Sequence, residues 1–466
     1  MKRVAIIGGG IAGLSAAYYL EKLRQSGAPL DWVLFEKSER LGGVMRTEYH
    51  DGLVLEAGPD SFLSIKPEAT ELCRELGLAG EIIHSNDFQR KTYILVRSRL
   101  VPIPDGLQFM VPTRILPMVT TPLFSFAAKV RMMREFFSMA RNQDQDESVG
   151  EFVRRHFGQE MVDRVAGPLL AGVYGGNANT LSVRAVLPRF AEMERHHGSL
   201  VRATLKARKA ASKAAPQPLF TSLRGGMQQL VDALVAALPA TRLRLKQPVL
   251  SLRHMRDQWQ VAMPGLGEDF DAVVLALPAP FAAALLSDVV PEAASRLKEI
   301  QYTSSAAVLL ACDKPALPPG FGFLVPASEG KKMLACTFVH KKFSGRAPEG
   351  TALLRCFFSS ARVSDLLDHS DDDLMGFARQ ELKDILGLDL QPHFACAFRW
   401  SHGLPQYTTG HLDRTTEIEA QLKQLPGLHL IGNSLHGIGV PDCIRSARQA
   451  VDKVILNSSV TPMLLR

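Results

Sequence analysis

Three glycines near the amino terminus have the spacing of a turn that holds a pyrophosphate. They read Gly8-x-Gly10-x-x-Gly13 and lie between an apolar run, Val4 to Ile7, and a helical pattern. Glycines allow the backbone to turn tightly and to approach phosphate oxygens, which rest on the N-terminus of the following helix. The next apolar run ends in Glu36, whose carboxylate can accept hydrogen bonds from both ribose hydroxyls. The pattern predicts a dinucleotide site, and the acid argues against a ribose 2′-phosphate.

Two further segments indicate a flavin dinucleotide rather than a nicotinamide one. Glu39-Arg40-Leu41-Gly42-Gly43 follows Glu36, and Glu56-Ala57-Gly58-Pro59-Asp60-Ser61 comes soon after. Arg40 can neutralise pyrophosphate charge, and the paired glycines allow backbone amides to approach the same group. Together with Arg224-Gly225-Gly226 and a late strand-helix unit, these segments resemble the amine oxidase and phytoene desaturase superfamily of flavoproteins.

A glycine-rich segment near the carboxyl terminus precedes the last predicted helix. It runs from Gly432 through Gly437-Ile438-Gly439-Val440 to Pro441-Asp442, and either of the last two residues suits the start of a helix. In the superfamily that the chain resembles, this helix aims its N-terminus at the pyrimidine edge of the flavin. Its partial positive charge would stabilise the negative charge of the reduced flavin.

Several segments narrow the resemblance to the porphyrinogen oxidases of haem synthesis, in particular the soluble bacterial type. Spread in the same order over essentially the whole chain, they are Gly58 to Leu63, Pro168 to Tyr174, Arg399-Trp400, Pro405-Gln406-Tyr407 and Gly439 to Ile444. Val44 supports the distinction, because amine oxidases carry Arg after the glycine pair. The resemblance implies that FAD takes six electrons from a porphyrinogen and passes them to O2, releasing peroxide and the porphyrin.

The resemblance implies that the flavin itself is the catalyst, so no catalytic side chain and no metal site is predicted. The predicted FAD-binding residues are Gly8, Gly9, Gly10, Ile11, Ala12, Gly13, Glu36, Lys37, Arg40, Gly42, Gly43, Val44, Gly58, Pro59, Asp60, Ser61, Val249, Trp400, Gly432, Gly439, Val440 and Pro441. The predicted substrate residues are Lys66, as a cation for propionate, and Leu169, Val173 and Tyr174, as an apolar wall.

Several alternatives stay open from the sequence. The substrate is coproporphyrinogen III or protoporphyrinogen IX, which carry four and two propionates respectively. Other hypotheses are a flavin oxidoreductase acting on an amine or a carotenoid, and a non-catalytic flavoprotein that binds a tetrapyrrole. Handover of the product to a ferrochelatase is a further hypothesis about partners. No nucleic-acid recognition motif is present, so a nucleic-acid partner is not predicted.

The pattern predicts an α/β (α+β) fold with interleaved domains. A discontinuous Rossmann-like FAD-binding domain takes residues 1–65, 219–300 and 405–466, and a mixed-sheet substrate domain takes 66–110 and 301–404. Residues 111–200 form a helical domain of the membrane-associating type, and 201–218 a basic linker. Ser148 and Glu151 have the spacing of a helix capping box.

Composition and charge place the chain among globular enzymes with a weak preference for anionic partners. It has 466 residues, 46% of them hydrophobic, a formal net charge of +7 and a pI of about 9.1. Six singly placed cysteines and the lack of a signal-type N-terminus predict a cytoplasmic protein. The basic helical middle, with Arg114, Lys129, Arg131 and Arg134 among Met and Phe, could lie on a membrane surface or cover the substrate pocket.

Overall fold

The computed structural model describes residues 1–140, 145–210 and 218–456. Its strands are β1 (Lys2–Ile7), β2 (Leu30–Phe35), β3 (Thr47–His50), β4 (Leu53–Glu56), β5 (Phe62–Leu63), β6 (Ile82–His84), β7 (Thr92–Val96), β8 (Arg99–Pro102), β9 (Leu107–Gln108), β10 (Val111–Pro112), β11 (Phe220–Leu223), β12 (Leu243–Arg244), β13 (Ser251–Met255), β14 (Gln258–Met263), β15 (Leu266–Phe270), β16 (Ala272–Leu275), β17 (Tyr302–Asp313), β18 (Gly322–Leu324), β19 (Ala335–Phe338), β20 (Thr351–Ser359), β21 (Pro392–Pro405) and β22 (Leu428–Leu430).

The helices are α1 (Ile11–Gln25), α2 (Glu68–Glu75), α3 (Ile115–Thr120), α4 (Phe126–Arg134), α5 (Val149–Phe157), α6 (Gln159–Met161), α7 (Gly167–Tyr174), α8 (Val183–Val186), α9 (Pro188–His197), α10 (Leu200–Ala210), α11 (Gln228–Ala236), α12 (Ala279–Leu286), α13 (Pro291–Lys298), α14 (Val339–Lys342), α15 (Asp371–Leu386), α16 (His411–Leu422) and α17 (Val440–Leu456). Among the described residues, no helix combines the length and the apolar character that crossing a bilayer requires.

A five-stranded parallel sheet contains the strand that leads into the glycine turn. Its order is β12-β2-β1-β16-β22, and β1 lies in the middle, with Val4 opposite Trp32 and Ala272. Helices α1 and α17 cover one face, while β14 and α12 belong to the core on the other. Strands buried on both faces are apolar throughout, which explains the continuous hydrophobic runs of β1 and β16. The sheet combines segments from both ends and the middle of the chain.

A seven-stranded mixed sheet forms the second layer system, in the order β21-β17-β20-β19-β18-β7-β8. Helix α15 packs on one face, where Val308, Leu354 and Cys356 are buried. The opposite face packs against β4 through Leu309 and Leu353. Side chains alternate along a strand, so adjacent residues such as Val308 and Leu309 lie on opposite faces of the sheet. The exact domain boundaries stay a prediction.

Helices α3 to α10 surround a third core that contains Phe152, Phe157 and Val165. The predicted capping box is confirmed: Ser148 and Glu151 exchange hydrogen bonds at the start of α5. The prediction of a basic linker over 201–218 is partly wrong, because Leu200–Ala210 is helix α10 and Ala203 within it is buried. Alanine, lysine and arginine are strong helix formers, so a stretch rich in them folds as a helix when one face can pack. Residues 211–217 of the linker lie outside the described residues.

Candidate cofactor and substrate site

The glycine turn between β1 and α1 is shaped for close approach of one backbone to another. Gly8 has a φ of +109°, and a Cβ on Gly13 would overlap the carbonyl oxygen of Gly8. A Cβ on Gly10, in contrast, would meet no protein atom within 4 Å. No side chain caps α1, so its first backbone amides face this open space. The turn therefore fits the pyrophosphate of a dinucleotide.

Glu36 follows β2 and lies against the glycine turn. Its Oε2 accepts a hydrogen bond from Gly9 N at 2.7 Å, and its Oε1 accepts one from Ser38 N at 2.8 Å. Each carboxylate oxygen has a second acceptor position, which leaves capacity for ribose hydroxyls. The loop that leads to Val249 also contacts Glu36, since Gln247 N donates to the Glu36 carbonyl at 3.0 Å. Glu36, Gly9 and the segment before Val249 are therefore brought together.

The loop after Glu36 lies directly on the glycine turn. Gly42 N donates to the Gly9 carbonyl at 2.7 Å, and a Cβ on Gly43 would lie 3.3 Å from Gly10 Cα. Both Gly42 and Gly43 have positive φ values, which L-residues with a Cβ rarely adopt. The paired glycines thus bring a second stretch of backbone to the open space beside Gly10.

The two cations of this loop have partners within the protein. Arg40 donates to the carbonyl oxygens of Leu41 at 2.7 Å, of Met45 at 3.1 Å and of Gly43. Lys37 lies over the ring of Phe281, with Nζ 4.4 Å from its centroid. Arg40 therefore braces the loop in this structure, and its predicted contact with the pyrophosphate stays a prediction.

The loop after β4 continues this surface toward the mixed sheet. A Cβ on Gly58 would overlap the carbonyl oxygen of Val44, and the indole N–H of Trp400 donates to the Ala57 carbonyl at 2.8 Å. The apolar Val44 side chain is 41% exposed. The predicted residues Val44, Gly58 and Trp400 are thus brought together, although the sequence separates them widely.

Helix α17 begins beside the first turn of α1. A Cβ on Gly432 would lie 4.0 Å from Ala12 Cβ, so the segment before α17 reaches α1. Pro441 and Asp442 lie in the first turn of α17, and Asp442 accepts a hydrogen bond from Gly439 N at 3.2 Å. The segment that leads into α17 therefore lies beside the first turn of α1, and the N-terminus of each helix carries a partial positive charge.

Lys66 is ion-paired at the N-terminus of α17. Its Nζ lies 2.7 Å from both carboxylate oxygens of Asp442, whose side chain is only 3% exposed. Arg445 binds the same carboxylate. An ammonium group has three N–H donors, so two are used here and one remains. The predicted propionate cation is therefore already neutralised in part by a partner that the sequence did not reveal.

Helix α7 places the predicted apolar wall opposite the mixed sheet. Leu170 is buried in the helical core, whereas Val173 is 54% exposed although it is apolar. Tyr174 packs against Tyr407, with ring centroids 6.2 Å apart. Burial and then the nearby Asp442 charge raise the pKa of Tyr174 to about 12. Tyr174, Asp442 and Lys66 are therefore neighbours.

The mixed sheet presents an apolar row toward α7. Strand pairing aligns Ala307, Phe357, Ala335 and Leu324 side by side on the face opposite α15. A Cβ on Gly172 would lie 3.7 Å from Leu324 Cδ2, which links α7 to one end of the row. Phe357 is only half-buried. A flat apolar ligand fits between such a wall and such a row.

A group of charged side chains lies behind the Gly58 loop, and none of its three cations was predicted from the sequence. This buried charge cluster consists of Glu56, Asp60, Lys342, Arg346 and Arg355. Lys342 Nζ lies 2.9 Å from Asp60, and Arg355 donates to the Gly58 carbonyl at 2.5 Å. The one signal in the sequence was a lone arginine inside the apolar run of β20, since an arginine is rarely buried without a partner.

Fold and cofactor site together define a flavin-dependent oxidoreductase. Residues 11–455 match the model of the flavin-containing amine oxidoreductase family, and the chain belongs to this family. The matched region covers the mixed sheet, the helical part and every strand of the parallel sheet except β1. The cofactor is FAD, because the family binds a flavin and the glycine turn fits the pyrophosphate of a dinucleotide.

The chain is similar along its whole length to proteins named coproporphyrinogen III oxidase. It is 36% identical to the one from Bacillus subtilis (strain 168), covering 97% of this chain and 98% of the other. Identity to the one from Propionibacterium freudenreichii subsp. freudenreichii is 34%, over 97% and 90%. The crystal structure of a candidate protoporphyrinogen oxidase from Exiguobacterium sp. 255-15 superimposes with a TM-score of 0.87, at 32% identity over 98% and 99% of the two chains.

Proposed function

We propose that this protein oxidises coproporphyrinogen III to coproporphyrin III in haem synthesis, with FAD as cofactor and O2 as electron acceptor. The observation that carries the proposal is the similarity over 97% of the chain to relatives named for this reaction. The half-exposed Val173 opposite the sheet row supports it, because a flat macrocycle needs two apolar surfaces that face each other.

The side chains of the site bind and orient the substrate, and bound FAD supplies the electron-accepting chemistry. Helix α7 and the sheet row hold the ring plane, which fixes the methylene bridge that reacts. The pKa of Tyr174, about 12, keeps its hydroxyl protonated at neutral pH, so Tyr174 does not serve as a base. Lys66 offers its remaining N–H donor to a propionate at the N-terminus of α17.

The purified yellow protein is tested with coproporphyrinogen III and protoporphyrinogen IX under air, by the red fluorescence of the porphyrin formed. We expect faster turnover of the four-propionate substrate. Lys66→Met removes one charge-assisted hydrogen bond and should lower kcat/KM for coproporphyrinogen III about tenfold, with a smaller loss for protoporphyrinogen IX.

Lys66→Arg is the matched control, because it keeps the charge and should retain most of the preference for four propionates. Equal losses on both substrates would mean that Lys66 supports the helix N-terminus and does not read propionates. A yellow protein that forms neither porphyrin contradicts the proposed function and favours an amine or a carotenoid as substrate.

We further propose that α3, α4 and the turn after α4 rest on the surface of an anionic membrane. Many large apolar side chains there are exposed: Ile115, Leu116, Val119, Phe126, Val130, Met133, Phe136, Phe137 and Met139. Arg114, Arg131 and Arg134 are exposed between them. Lys129 ties α4 to the end of α3 by donating to the Val119 and Thr121 carbonyls at 2.7 Å. Apolar anchors with interleaved cations are typical of a surface bound to acidic lipid.

The double variant Phe126→Ser and Phe137→Ser tests this surface. It should sediment with vesicles of phosphatidylcholine and phosphatidylglycerol at least about tenfold less than the wild type, because it lacks two aromatic side chains that would insert into the membrane. The double variant Leu250→Ser and Leu266→Ser is the control, since both residues are exposed apolar ones on the parallel-sheet side of the protein. Equal loss in both variants, or wild-type binding to pure phosphatidylcholine, would contradict an anionic membrane surface.

A further inference from the structure

The buried charge cluster contains one more cation than carboxylates. Lys342, Arg346 and Arg355 are 8%, 1% and 5% exposed, and they face Glu56 and Asp60. Burial would raise the pKa of Asp60, but Lys342 and Arg355 outweigh it and hold that pKa well below its usual range. Burial raises the pKa of Glu56, so any protonation there adds to the positive charge. The cluster therefore carries a net charge of at least one positive unit.

Among the residues that the structure describes, part of this positive charge has no hydrogen-bonded partner. Arg355 donates through Nη2 to Gly58, but its Nε has no acceptor. Arg346 donates to Ser222 Oγ at 2.6 Å, while its Nη1 is 3.6 Å from Glu56 and makes no hydrogen bond. A buried charge that lacks a counter-ion is costly, so the cluster is adapted to a negative charge that enters the site.

The cluster adjoins the predicted cofactor surface through a short chain of contacts. Arg355 binds the Gly58 carbonyl, and Gly58 packs on the Val44 carbonyl. The glycine pair before Val44 lies on the glycine turn at Gly10. Arg355 lies two residues before Phe357 on β20, so both side chains are on the same face of the sheet. The Arg355 guanidinium is 4.7 Å from the centroid of the Phe357 ring, which belongs to the apolar row. The cluster thus lies where the cofactor surface meets the substrate face.

We propose that the buried charge cluster is the counter-charge for the negative charge that FAD gains on reduction, with Arg355 as its positioning residue. Hydride transfer breaks one C–H bond of the substrate and brings two electrons and one proton to the flavin, which gains one negative charge. The surplus cation of the cluster balances that negative charge, in addition to the partial positive charges at the N-termini of α1 and α17. The inference rests on the FAD site of the proposed function and not on the identity of the substrate.

Sulfite binding measures this property without any substrate. Sulfite donates an electron pair to the oxidised flavin, forms an N–S bond and leaves the adduct negatively charged. Arg355→Met should bind sulfite about 10- to 100-fold more weakly than the wild type, because a nearby positive charge stabilises the negatively charged adduct to about that extent. Arg355→Lys should restore most of the affinity. The flavin reduction potential, measured by spectroelectrochemical titration, should fall in Arg355→Met.

Arg362→Met is the matched control for loss of a structural arginine. Arg362 also donates to two carbonyl oxygens, those of Met333 and Val325, each at 2.6 Å. We expect this variant to lose stability and to keep wild-type sulfite affinity. If Arg355→Met is destabilised to a similar extent but binds sulfite like the wild type, the cluster only joins the two sheets and the proposal is overturned.

Asp60→Asn gives an answer even if Arg355→Met does not fold. It removes one carboxylate, so the net positive charge rises and sulfite should bind more tightly than in the wild type. Disruption of structure alone would not tighten binding, and unchanged or weaker binding overturns the proposal. A protein that binds FAD but oxidises no porphyrinogen would contradict the proposed function, but it would not contradict the proposal that the buried charge cluster balances the charge of reduced FAD.

Discussion

Replacing Gly13 by alanine is expected to yield a protein that is both destabilised and colourless after purification. The added Cβ would overlap the carbonyl oxygen of Gly8, and neither backbone can retreat, because β1 is central in the parallel sheet and α1 packs on it. Overpacking of this kind costs about 1–3 kcal/mol, and more where backbone must move. The measurements are the flavin absorbance per protein and the midpoint of thermal unfolding.

Replacing Gly10 by alanine separates cofactor binding from folding. Gly10 has φ −73° and ψ −179°, which alanine adopts freely, and its Cβ would meet no protein atom. The apoprotein should therefore unfold at the wild-type temperature. Its Cβ would occupy the space assigned to the pyrophosphate, so FAD affinity should fall about 10- to 100-fold.

Gly376 supplies the control for these two glycine variants. It lies inside α15, and a Cβ there would meet nothing within 4 Å. Gly376→Ala should keep full FAD content and gain about 0.5–1 kcal/mol of stability, since alanine is the better helix former. Full FAD content in Gly10→Ala would contradict the assignment of the pyrophosphate to this turn.

Replacing Val173 by glutamate is expected to abolish most turnover while FAD content and stability stay at wild-type levels. Val173 is 54% exposed, so a longer polar side chain fits without disturbing the core. Its carboxylate would stand on the proposed substrate wall and repel the propionates of the substrate. We expect kcat/KM for coproporphyrinogen III to fall about 100-fold, from loss of apolar contact and from like-charge repulsion.

Val173→Gln is the matched control, because glutamine has the same shape as glutamate without the charge. The difference in kcat/KM between the two variants measures the repulsion between the carboxylate introduced by Val173→Glu and the propionates. This difference should be larger for coproporphyrinogen III, with four propionates, than for protoporphyrinogen IX, with two. If both variants turn over like the wild type, α7 does not form the substrate wall. If both lose activity equally on both substrates, shape and not charge determines the loss.

The sequence alone determined those features in which neighbours along the chain decide the structure. The glycine turn, the adjoining strands and the position of Glu36 depend on residues within one βαβ unit, and they were predicted from spacing. The capping box at Ser148 is equally local. The dinucleotide site followed from the glycine turn and Glu36, because binding a pyrophosphate constrains the backbone directly. The flavoprotein class came from the resemblance of the segments Glu39 to Gly43 and Glu56 to Ser61 to a known superfamily.

Only the tertiary structure decided which charges face each other. Lys66 was predicted as a cation for a substrate propionate, and its partner within the protein, Asp442, lies on α17 at the other end of the chain. Lys342 of helix α14 and Asp60 of the loop after β4 form another such pair. No local pattern encodes such pairs, since an isolated lysine or arginine in a sequence is most often solvated. Their burial depends on the packing of the two sheets, and that packing also creates the positive cluster behind the Gly58 loop.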